Sequence, residues 1–130
     1  MQNAFWAFRS YVDEDCQDVI AGWYRQQPAE LQAKFDSRLR FLRQQPREGW
    51  VRPYFDLLKG KCSPLGEMRF EFRNVQYRPL GYFSGQMEFT WLIVPTKKDS
   101  LFNPKNACEI AKRRMKEIAR SAERSHVYQF

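Results

Sequence analysis

Arg69, Arg73 and Arg78 sit on two aromatic-rich runs of the chain, and a lysine pair, Lys97-Lys98, follows them. The runs are Leu65-Gly66-Glu67-Met68-Arg69-Phe70-Glu71-Phe72-Arg73 and Tyr77-Arg78-Pro79-Leu80-Gly81-Tyr82-Phe83; the lysines close Val94-Pro95-Thr96-Lys97-Lys98. The planar arginine fork matches phosphate oxygens two at a time. Lysine exchanges protons near neutral pH only where burial or neighbouring cations lower its pKa, and Lys97 beside Lys98 meets the second condition. Such a set suits cleavage of RNA by its own 2′-hydroxyl. That reaction needs a base for the hydroxyl proton, cations for the crowded phosphorane and an acid for the leaving 5′-oxygen. Arg69 and Arg73 also alternate with Glu67 and Glu71, a pattern that equally describes a solvated strand face with cross-strand ion pairs. Arg78 has no acidic neighbour in sequence, so an anion-binding role weighs more there. A single histidine, His126 near the chain end, leaves no support for Ser-His-Asp or Cys-His catalysis. No glycine-rich phosphate loop is present.

The elements that must position these residues follow from periodicity. Residues 4–12 carry Phe5, Trp6, Phe8 and Tyr11 and read as a first strand. Asp13 is placed to cap a helix whose face holds Val19, Ile20, Trp23 and Tyr24. Leu31, Phe35, Leu39 and Leu42 recur at three- and four-residue spacing and predict an amphipathic helix over 29–43, stopped by Pro46. Glycines and prolines punctuate 47–66, which reads as irregular chain. Three strands are expected next, over 68–73, 76–83 and 88–94, with Asn74 and Ser84-Gly85 as turns. Residues 97–102 read as a loop, and Asn103-Pro104 as a helix start. The last helix has an apolar stripe of Cys108, Ala111, Met115, Ile118 and Ala122 beside a basic stripe of Arg113, Lys116, Arg120 and Arg124. The tail from about Ser125 is expected to be loose. The expected architecture is α+β, a helix hairpin packed on a largely antiparallel four-stranded sheet, in the order β-α-α-β-β-β-α.

A chain of 130 residues fits one domain, taken here as 1–130, and its 11 Phe, 6 Tyr and 4 Trp can build a real core. The net charge is +7; residues 1–66 hold 10 Lys/Arg against 8 Asp/Glu, residues 67–130 hold 12 against 7. A basic excess on one side of the chain favours nucleic acid or an acidic protein partner. Cys16, Cys62 and Cys108 stand far apart with no C-x-x-C, so neither a disulfide scaffold nor a zinc site is expected. No cofactor is implied. With no signal-type segment and no apolar stretch of about 18 residues, the cytoplasm is the expected compartment and no membrane contact is expected.

The order of elements, the segment Tyr54-Phe55-Asp56-Leu57-Leu58-Lys59-Gly60, the Leu-Gly-Glu-Met-Arg-Phe run, the Tyr77-Arg78 strand and the Lys97-Lys98 loop before Asn103-Pro104 resemble the RelE/HigB group of toxins, and within it the phage-derived HigB-like branch. The resemblance spans roughly residues 4–120. It implies the toxin of a bacterial type II toxin–antitoxin pair, a ribosome-dependent mRNA endonuclease inhibiting translation. The implied partners are mRNA on the ribosome and a cognate antitoxin of helix-turn-helix type. Carried onto matching positions, it implies Arg78, Arg69, Lys97 and Lys98 as catalytic residues. Tyr82 or Tyr128 would supply an acid or base, or neither would, since the chain lacks the tyrosine or histidine expected soon after the lysine pair. Arg73, Lys105, Lys112, Arg113 and Lys116 would bind RNA. The same resemblance admits a non-catalytic alternative: a ParE-like gyrase inhibitor, or a prophage relic that binds only an antitoxin.

Overall fold

The computed structural model describes residues 5–130; Ala4, the first residue of the expected opening strand, lies outside them. Among these residues three α-helices and ten strands form, and the strands divide between two sheets. The first sheet contains β1 (Ala7–Tyr11), β2 (Phe55–Leu57), β3 (Gly66–Met68), β6 (Leu80–Gly85), β7 (Glu88–Ile93) and β10 (Ser125–Val127), in the spatial order β10-β1-β7-β6-β3-β2. The second contains β4 (Phe70–Phe72), β5 (Val75–Tyr77), β8 (Thr96–Lys98) and β9 (Leu101–Asn103), in the order β4-β5-β8-β9. The four-stranded sheet with a helix hairpin on it is therefore not what the chain forms.

The physical reason lies at three breaks. The run expected as one strand over 68–73 splits at Arg69 into β3 and β4. The run over 76–83 splits at Arg78-Pro79 into β5 and β6. The third passes through Val94-Pro95 between β7 and β8. Pro79 and Pro95 have no N–H to give a ladder, so pairing breaks at those positions. Backbone bonds stitch the seam instead: Met68 N–H to the Pro79 carbonyl (2.9 Å), Arg78 N–H to the Pro95 carbonyl (2.9 Å) and Arg69 N–H to the Tyr54 carbonyl (2.8 Å). The expected 97–102 loop is the β8–β9 hairpin. Asp99 and Ser100 at its tip have φ of 51° and 67°, and Arg73-Asn74 between β4 and β5 repeats that geometry at 51° and 67°. Two consecutive left-handed residues are what a tight hairpin turn matching strand twist requires.

The six-stranded sheet is covered on both faces. Helices α1 (Val19–Arg25) and α2 (Ala29–Arg43) send Ile20, Leu31, Phe35, Leu39 and Leu42 onto Trp6, Phe8, Trp50, Phe55, Phe89 and Trp91. Helix α3 (Ala107–Arg120) covers the other face, where Ala107, Cys108 and Ala111 meet Tyr11, Leu65, Leu80 and Leu92. Strand β7 is buried on both sides accordingly, with Phe89, Thr90, Trp91 and Leu92 all buried. It pairs in parallel with β1 and antiparallel with β6. At Gly81 a Cβ would lie 2.2 Å from the Thr90 carbonyl oxygen, so this crossing of β6 and β7 admits only glycine.

Four local expectations are corrected. Asp18, not Asp13, caps α1, accepting from the Ile20 and Ala21 N–H groups at 2.9 Å each. Helix α3 begins at Ala107 rather than at Asn103-Pro104, because Asn103 is used by β9. Cys62 and Cys108, 46 residues apart in sequence, form a disulfide with a Cα–Cα distance of 5.4 Å, joining a 3-10 turn at Gly60–Cys62 to the first turn of α3; Cys16 is free and exposed. Only the fold brings residues of that separation together. The tail is not loose: β10 pairs antiparallel with β1, Tyr128 is buried, and His126 Nε2 lies 2.6 Å from Asp18 Oδ2. No helix among the described residues is long and apolar enough to cross a membrane. Replacing Tyr128 by alanine is expected to lower stability by about 3 kcal/mol, the cost of emptying a buried aromatic site. Urea denaturation reads this directly, and an unchanged midpoint would restore a loose tail.

Candidate functional site

The seam between the sheets is where the charges gather. Glu67, on β3, is buried, with only 1% of its side chain exposed, and three cations surround it. Arg69 Nη1 lies 2.5 Å from its Oε2, Arg78 Nε 3.9 Å from the same oxygen, and Lys97 Nζ 3.8 Å from Oε1. The three side chains are 21%, 8% and 25% exposed, so the carboxylate forms a floor and Arg69 and Lys97 reach the surface. Each comes from a seam or its edge: Arg69 between β3 and β4, Arg78 between β5 and β6, Lys97 on β8. A buried carboxylate is tolerable only when paired, and here one negative charge faces three positive ones. The surplus is available to an incoming anion. At an effective dielectric of 20, one ion pair at 4 Å is worth about 4 kcal/mol before desolvation is subtracted.

Side-chain bonds fix the cations. Gln76 Oε1 accepts from Arg78 Nη2 at 2.9 Å, and the Tyr77 carbonyl accepts from Arg78 Nη1 at 2.8 Å. Burial, followed by the neighbouring Arg69, pulls the Arg78 guanidinium below its ordinary pKa, while Glu67 opposes the shift. Lys97 rests over the Phe102 ring, 4.7 Å from its centroid, across the β8–β9 pairing that sets the two residues opposite each other. A hollow of about 290 Å³ opens above this cluster, lined by Arg52, Arg69, Gln76, Arg78, Lys97, Asp99 and Ser100. Asp99, exposed at the hairpin tip, puts a second carboxylate on its wall. Arg52 is exposed and pairs with Asp56 at 3.0 Å. Two buried atoms of the cluster, Glu67 Oε1 and Arg78 Nε, have no hydrogen-bond partner among the described residues. Catalytic hydrogen bonds are often long before substrate binds.

The structure brings together Arg69, Arg78 and Lys97 and separates the rest of the expected set. Lys98 is exposed on β8 and does not line this hollow. Tyr82 packs with the α3-side cluster; burial and Glu88 raise its phenol pKa, and it lines neither this hollow nor the one beside it. Tyr128 belongs to the opposite sheet edge, beside β1. Arg73 sits on the β4–β5 turn, 3.6 Å from Glu30 in an ion pair exposed on both sides, a contact of little energetic weight. Lys112, Arg113 and Lys116 gather on the outer face of α3 around a separate hollow with Lys61 and Glu109, and Lys105 is exposed in the approach to that helix. Glu67, Asp99 and Arg52 are among the residues of the site that escape the sequence reading. Glu67 shares strand parity with Arg69, a signal that was present but read as a solvated face. Asp99 and Arg52 lie in segments that read as loops, and only the hairpin and the seam bring them in. No group of histidine, cysteine, aspartate and glutamate among the described residues is arranged to hold a metal.

The sequence profile of the phage-derived Gp49-like proteins (DUF891) matches residues 22–116. The chain belongs to this Gp49-like family. The match contains the whole cationic seam, from Arg52 to Asp99. Comparison with curated proteins and with solved structures returned no match. In this Gp49-like chain, Glu67→Gln removes the one negative charge under three partly buried cations. It is expected to lower stability by about 3 kcal/mol, the scale for breaking a buried ion pair, measured by urea denaturation. An unchanged midpoint would mean that Glu67 does not hold the cluster.

Proposed function

We infer that this protein is an endoribonuclease of the RelE/HigB kind, the toxin of a toxin–antitoxin pair, and that the hollow over Glu67 receives the scissile phosphate. The observation that carries the reading is the charge surplus of the cluster: three cations on one buried carboxylate, open on one side. Arg69 and Arg52 are the arginines with exposed donors, and they meet the non-bridging oxygens. Arg78 has most of its donors engaged by protein carbonyls and Gln76, so it acts from beneath as fixed positive charge. The expectation that Arg78 leads is modified in that respect.

Proton transfer follows from which groups a bound ribose can reach. Asp99 is the exposed carboxylate of the hollow, so it takes the 2′-hydroxyl proton. The 2′-oxygen attacks phosphorus, the bond to the 5′-oxygen breaks, and the Lys97 ammonium donates to that oxygen. The products are a 2′,3′-cyclic phosphate and a 5′-hydroxyl. The proton released equals the proton taken up, and solvent restores both side chains. Glu67 lies below the cations and keeps them in position. Translated mRNA on the ribosome is the substrate, and a cognate antitoxin the partner, that the resemblance to RelE/HigB toxins implies. The Gp49-like family membership supports a phage-derived origin for the module.

Expression of the wild type is expected to arrest growth and to leave translated messages cut, with cyclic-phosphate 3′ ends. Lys97→Gln and Asp99→Asn should each reduce the cleavage rate by about 10²-fold or more, and Asp99→Asn, at an exposed turn, should leave the thermal transition in place. Harmless wild-type expression with intact messages would sink the reading. Full cutting by both variants would sink the assigned roles.

A further inference from the structure

A second hollow, about 340 Å³, opens beside the first and shares Arg52, Arg69, Gln76 and Arg78 with it. Its far wall is chemically different. Tyr54 is half-buried there, its ring against Phe41 at 4.4 Å, and the Arg38 guanidinium lies over that ring at 5.8 Å. Arg38 Nε is buried without a partner among the described residues. Glu71 also lines this hollow; its Oε1 accepts from Gln76 Nε2 at 2.8 Å, and Oε2 has no side-chain donor among the described residues. The pairing of Glu71 opposite Gln76 in the β4–β5 ladder holds this arrangement.

A second phosphate would use the arginines of this hollow but neither the Tyr54 ring nor the Glu71 carboxylate. The composition suits a flat heteroaromatic ring. Tyrosine rings and arginine guanidinium planes are surfaces on which unstacked bases settle, and bases in single strands are read along their Watson–Crick edges. A carboxylate only accepts hydrogen bonds. Adenine, cytosine and guanine each present an amino group on that edge. Uracil presents one N–H flanked by two carbonyl oxygens, which a carboxylate opposes.

We propose that the hollow bounded by Tyr54, Arg38 and Glu71 receives the base of the nucleotide next to the bound phosphate, and that Glu71 selects amino-bearing bases over uracil. The proposal rests on the endonuclease reading, because the shared arginines place the base beside the phosphate that reading assigns.

The test is equilibrium binding of short 2′-fluoro oligonucleotides, which cannot be cleaved, to the purified full chain. Oligo(A) and oligo(C) are expected to bind about tenfold more tightly than oligo(U), the weight of one hydrogen bond to a charged group. Glu71→Gln gains an amide donor for a uracil carbonyl and should bring the ratio close to one. Arg38→Gln should weaken all three oligonucleotides together and keep their ratio. Equal wild-type affinities for the three, or a ratio that survives Glu71→Gln, overturns the assignment of Glu71. An Arg38→Gln protein that binds all three as well as the wild type overturns the stacking wall. A protein that shows the expected preferences but cuts no ribosomal message retains the base site and loses the endonuclease reading instead.

Discussion

The buried Glu67 carboxylate is the constraint to which the rest of the site answers. A charge with only 1% of its side chain exposed is stable inside a protein only when opposite charges and donors surround it. Three separate parts of the chain supply them: Arg69 directly after β3, Arg78 between β5 and β6, and Lys97 on β8. Each lies at or next to the place where a strand leaves one sheet for the other. The two-sheet architecture and the cationic cluster are thus one feature. Had the strands run on unbroken, alternation would have spread these side chains along a solvated face, as the sequence pattern suggests.

The network extends outward from that centre with consistent chemistry. Gln76 holds Arg78 with its carbonyl oxygen and Glu71 with its amide, so the floor of one hollow is tied to the wall of the next. Phe102 braces Lys97 from below, and the β8–β9 turn presents Asp99. The large sheet, covered by α1 and α2 on one face and α3 on the other, gives these short seam strands a rigid support. Asp18 closes the far edge, where it caps α1 and accepts from both Ser10 Oγ and His126 Nε2 at 2.6 Å. The basic face of α3 stands apart from the seam, which separates phosphate chemistry from any contact made by that helix.

How much of this was legible depends on whether a feature is local. The helix over Ala29–Arg43 was readable because a three- and four-residue spacing of Leu31, Phe35, Leu39 and Leu42 has one interpretation, and the structure has that helix with those four residues buried. The gathering of Arg69, Arg78 and Lys97 was approached from residue chemistry alone, since paired arginines and lysines near prolines and turns are recognisable in one dimension. The four-stranded sheet was wrong because periodicity of two cannot reveal a strand that changes sheets halfway. Parity survives such a break for a residue or two, and then the partner strand is different. The same limit hid β2 in a glycine- and proline-rich stretch, the β8–β9 hairpin in a presumed loop, and β10 in a presumed loose end.

By itself, then, the sequence determined the chemistry available: a basic, aromatic-rich chain with phosphate-seeking side chains, a single histidine and one amphipathic helix of certain extent. Those are properties of residue type and of spacing within one element. The tertiary structure alone decided which of the charges meet. It turned Glu67 from one member of an alternating face into the buried anion that organises the site, brought Asp99 and Arg52 to its rim, sent Arg73 and Tyr82 elsewhere, and joined Cys62 to Cys108. Those outcomes depend on contacts between residues distant in sequence. Such contacts are set by where strands break and which neighbours they then find, and no local pattern encodes that choice.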